Sequence, residues 1–222
     1  MKLDAIKEAI KKWDTSRNDL DGMKALFKGV NCFTFTWPDD FSSDDAFIHA
    51  YLAVSKTDTL DMLLIPRSKD REKQEYIQEH VVKVALGYEE ILKDVVDPKD
   101  AKRRIGNWEN HCESWLKTRL DEKEIIHQVF VIPKRYLKRG RTYLAFFALK
   151  DEVGTPGNVT SLVGDMIVWD KDTNAIVYPN NDDTGDTFYN TIYLVPPFKP
   201  ILKEIATKEK FYLLKLANAI YD

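Results

Sequence analysis

Between residues 141 and 199 strand-forming runs follow one another so closely that this stretch leaves the chain little alternative to an antiparallel sheet. Residues 142–149 (TYLAFFAL), 165–169 (DMIVW), 175–178 (AIVY) and 188–195 (FYNTIYLV) are dominated by aromatic and β-branched residues, and Gly, Pro, Asn and Asp punctuate every gap. Side chains of that kind pack well on a pleated surface, and the intervening residues favour tight turns, so the four runs are expected to form a meander. The five residues from Asp170 to Asn174 suit a hairpin connection, because Asp and Asn bond their own backbone and tolerate left-handed conformations.

Upstream, helical and strand patterns both occur. Leu3, Ile6, Ile10 and Trp13 recur at helical spacing with lysines opposite, predicting an amino-terminal amphipathic helix. A short helix is expected over 22–28, then a strand over 31–37 (NCFTFTW) that stops at Pro38. Residues 46–54 and 60–65 read as a second hairpin around the turn 55–59. Beyond Pro66, Ile77, Val81, Val84 and Ala85 lie on one helical face, so a helix is expected there; Gly87 either ends it or only interrupts it, since Tyr88, Ile91, Leu92 and Val95 carry the pattern onward.

Asp97, Pro98 and Asp100 give the clearest helix start in the chain, since a carboxylate caps or complements the amino-terminal dipole and proline suits the first turn. The helix carries Ile105, Trp108, Cys112, Trp115 and Leu116 as its apolar stripe, with Cys112 facing the core. A strand over 125–132, a basic turn over 133–141 and a closing helix over 199–221 complete the expectation. Runs of strands and runs of helices without a strand-helix rhythm place the chain in the α+β class: a mainly antiparallel sheet packed against amphipathic helices, with helices at both termini. One domain over 1–222 is expected, with a subdivision near 97 as the alternative.

Composition narrows function by exclusion. The chain has 222 residues, 44% hydrophobic and 31% charged, with a formal net charge of −3, which does not suit a nucleic-acid binder. There is no apolar run of membrane-spanning length and no signal-peptide pattern, and the two distant cysteines suit reduced thiols, so a cytoplasmic location is expected. The four histidines lack zinc spacing. The acidic stretches miss the calcium-loop pattern, because the twelfth position is Thr191 in one and Asn181 in the other. No phosphate-cradling glycine motif or nucleophile elbow occurs, so neither cofactor nor metal is expected.

What remains is charge. Asp39, Asp40, Asp44 and Asp45 form one acidic loop, and Asp182, Asp183 and Asp186 form another. The basic cluster Lys134, Arg135, Lys138, Arg139 and Arg141 reads as a charged turn between edge strands, where such residues discourage aggregation. The acidic loops are the expected contact points for a basic protein partner. Asp170 belongs with them, and Trp169 or Trp37 supplies an aromatic anchor. Two alternatives remain open: an enzyme whose site is assembled from Cys112 or His127 with a carboxylate, and a phage or structural interaction protein.

The order YLAFFALKDEVGTPGNV, then GDMIVWDKDTNAIVYP, then TIYLVPPFKPILKEIA, over the last third of the chain, resembles the carboxy-terminal half of the SUKH superfamily. That superfamily includes many bacterial immunity proteins against polymorphic toxins. Tyr143, Gly157, Asn158, Trp169, Asp170, Phe198 and Leu202 occupy the comparable places. The resemblance implies a non-catalytic, toxin-binding α+β domain.

Overall fold

The computed structural model describes residues 1–37, 47–72, 74–90, 99–122, 126–133, 137–151, 162–177, 193–195 and 211–219. Helix α1 (Leu3–Ser16) forms on the expected stripe and buries Ile6, Ala9, Ile10 and Trp13. Helix α2 (Leu20–Phe27) is capped by Asp19, whose carboxylate accepts the Gly22 amide at 3.0 Å. A Cβ at Gly22 would stand 2.8 Å from that carboxylate, so glycine leaves room for the cap.

The strands are β1 (Cys32–Thr36), β2 (Phe47–Val54), β3 (Leu60–Pro66), β4 (Val82–Gly87), β5 (Val129–Pro133), β6 (Thr142–Asp151), β7 (Leu162–Asp170), β8 (Ala175–Ile176) and β9 (Tyr193–Val195). Helix α3 (Lys99–Asp121) lies between β4 and β5, and α4 (Tyr212–Leu216) follows β9. The nine strands form one sheet in the order β8-β7-β6-β1-β4-β3-β2-β5-β9, every described pair antiparallel. This is an α+β architecture with helices near both termini.

The sheet curls until its two halves share one core. Phe130 of β5 and Phe147 of β6 have ring centroids 5.8 Å apart, although four strands lie between them in hydrogen-bonding order. Phe33, Phe35, Ile48, Leu52, Met62 and Met166 line the same interior, and Trp13, Phe27, Trp108 and Trp115 reach it from the helices. Outside the curl, α1 and α4 cover Tyr51, Ala53, Leu63, Ile65, Val129 and Val131, while Ala101 and Ile105 of α3 meet Leu144, Phe146, Ile167 and Trp169. Burying aromatic side chains of this size supplies roughly 25 cal/mol per Å² of apolar surface, which is what holds a sheet in such a bend.

Four expectations are corrected. The helix through Ile77 and Ala85 is instead a short 3₁₀ turn (Ile77–His80) followed by β4. Val82, Val84 and Leu86 alternate, and that two-residue period prevailed over the helical one because β3 and β1 offered pairing partners. The strand over 125–132 starts later, at Val129. The meander also fails at its last step: β9 does not continue beside β8 but pairs with β5 at the opposite edge. The closing helix ends at Leu216, where Asn218 takes a left-handed conformation (φ 52°) and the Ala219 amide donates to the Leu214 carbonyl at 3.0 Å. The two hairpins, β2-β3 and β7-β8, and the helix beginning near Asp100 stand where the sequence puts them.

Candidate functional site

Of the expected partner-binding residues, Asp39, Asp40, Asp44, Asp45, Asp182, Asp183 and Asp186 lie outside the described residues. Trp169 and Asp170 are described, and both are turned into the fold. Trp169 is 3% exposed and packs with Leu144, Phe146 and Ile105. Asp170 is 4% exposed and shapes the β7-β8 turn: one carboxylate oxygen accepts the Asp172 and Thr173 amides at 3.0 and 3.1 Å, and the other accepts Arg141 at 2.6 Å. Burial alone would raise this carboxyl's pKa, but the hydrogen bonds from Arg141, Thr173 and Asp172 outweigh it and hold it below the usual carboxylate range. Trp37 is buried as well. All three of these side chains are thus buried, Asp170 in the turn and the two tryptophans in the core.

The described residues that flank the acidic segments are more informative. Trp37, just before residues 38–46, donates its amide to the Arg141 carbonyl at 3.2 Å, at the end of the sheet where β1 stops and β6 begins. Phe47, just after them, pairs with Pro133 at that same end. Tyr193, which follows the segment 178–192, pairs with Val131, and β9 runs antiparallel to β5, so the chain enters β9 from the Pro133 end too. The basic turn is also there. Tyr143 OH accepts the Lys138 amide at 2.5 Å and donates to the Lys138 carbonyl at 3.3 Å, while Lys138 and Arg139 stay exposed. One end of the sheet thus holds both flanks of residues 38–46, the residue that follows 178–192, and the described part of the basic turn.

Two constellations inside the molecule have the residue types of chemistry. The first surrounds a cavity of about 20 Å³ beneath α3, lined by Phe27, Trp108, Trp115 and Phe130 together with His127 and Asp165. A cavity that takes up benzene measures on the order of 150 Å³, so the space is that of a packing defect. Asp165 is buried and pairs with Arg104 at 2.8 Å, and the His127 ring lies 6.0 Å from that of Trp115. Cys112 is not among the lining residues. Burial, and then the neighbouring Glu113 charge, push its thiol up to about 12, and burial pushes Cys32 up to about 11. Of the residues named for the enzyme alternative, His127 shares this small cavity with Asp165, whose carboxylate is held by Arg104, and Cys112 stands apart from it.

The second constellation went unnoticed in the sequence. His49 of β2 and Asp70 after β3 are both fully buried, with Nδ1 and Oδ2 2.6 Å apart. Tyr51 OH donates to the same oxygen. The other Asp70 oxygen accepts the Leu213 amide at 3.0 Å, and Phe211 stands 4.8 Å from the His49 ring. A histidine-aspartate pair can polarise a nucleophile, but this one is enclosed by α4 and the sheet. What it does here is satisfy the Leu213 amide, and so pin the carboxy-terminal helix. Only the alternation of β2, which places His49 and Tyr51 on one face, could have hinted at it.

Among the described residues no group of three or more His, Cys, Asp or Glu could hold a metal ion, and no helix is long and apolar enough to cross a membrane. Comparison of the chain with protein-family models, with curated proteins and with solved structures found no match in any of the three.

Proposed function

We propose that this protein is a non-catalytic binding protein of immunity type, which captures a basic protein such as a nuclease toxin. The contacts come from the acidic segments carrying Asp39, Asp40, Asp44 and Asp45, and Asp182, Asp183 and Asp186. One observation supports the reading: Trp37 and Phe47, which flank residues 38–46, and Tyr193, which follows residues 178–192, stand at one end of the sheet. Charge gathered on one face steers encounter with an oppositely charged partner and makes association salt-dependent. The resemblance of the last third to SUKH immunity proteins points the same way, and a cytoplasmic location, in keeping with two free cysteines, belongs to the reading.

Reversing all seven aspartates to lysine tests it. Pull-downs with the wild-type chain should recover a basic protein whose capture weakens as salt rises, and the reversed chain should recover at least about tenfold less. Equal capture by the two chains, with the same salt dependence, would dispose of the proposal.

A further inference from the structure

We draw no further inference here: the strongest candidate, the buried His49-Asp70-Tyr51 cluster between the sheet and α4, belongs to the site already described, where its hydrogen bonds serve to hold the carboxy-terminal helix.

Discussion

At the scale of single residues, the sequence overstated how many polar side chains are available for chemistry or contact. Asp165, Asp170 and Asp70 are all buried, each accepting from a side chain nearby: Arg104, Arg141, and the His49-Tyr51 pair. A buried carboxylate is tolerated only when it is paired in this way, and such pairs are invisible in one dimension because the partners lie 61, 29 and 21 residues away. The cysteines are the reverse case. The sequence places Cys112 on the core-facing stripe of its helix, and the structure adds the consequence for both, since a thiol raised to about 11 or about 12 is almost wholly protonated at neutral pH. Both should therefore react with a thiol reagent at pH 7 at least tenfold more slowly than in urea. A burst of labelling at Cys112 in the native protein would revive the enzyme alternative.

At the scale of elements, local chemistry decided the turns and the hairpins, while competing periods decided the errors. The β7-β8 turn formed as its aspartates and asparagine dictated, with Asn174 left-handed at φ 55°. Asp170 is the residue this turn rests on. Its folded pKa lies below the ordinary value of 3.8, so its contribution to stability is fully present above that value and is lost as pH falls through the folded pKa. Asp170→Asn should accordingly lower the melting temperature at pH 7, and the gap to wild type should narrow in the acid range, as thermal denaturation followed by circular dichroism would show. A gap that stays constant down to pH 2 would mean that the carboxylate charge has no part in holding the turn. Residues 77–87 were misread as helix for a related reason. Ile77, Val81, Val84 and Ala85 fit a helical face and Val82, Val84 and Leu86 fit a strand, and only the presence of β3 and β1 alongside settled which period counted.

At the scale of the whole molecule, the curled sheet is held from outside as well as from its core. The carboxy-terminal segment 211–219 is pinned at one end by Asp70 accepting the Leu213 amide, and at the other by Gln128 donating to the Ala219 carbonyl at 2.8 Å. Between those points Leu213, Leu214 and Ala217 cover the outer face of β2, β3 and β5. Asp70→Ala would strand the Leu213 amide, the Tyr51 hydroxyl and His49 in the interior, and should cost about 3 kcal/mol in urea denaturation. In a chain cut before Phe211 the same substitution should cost less, because the Leu213 amide is gone; full additivity would show that Asp70 does not act through this segment. The sequence alone determined the α+β class, the amphipathic ends, the hairpins and their turns, because these rest on periodicity and on contacts between residues close along the chain. Tertiary structure alone decided that β9 crosses to β5 and that His49, Tyr51 and Asp70 meet. Each of these depends on which distant surfaces fit together once the sheet bends around its aromatic core, and no local pattern encodes that fit.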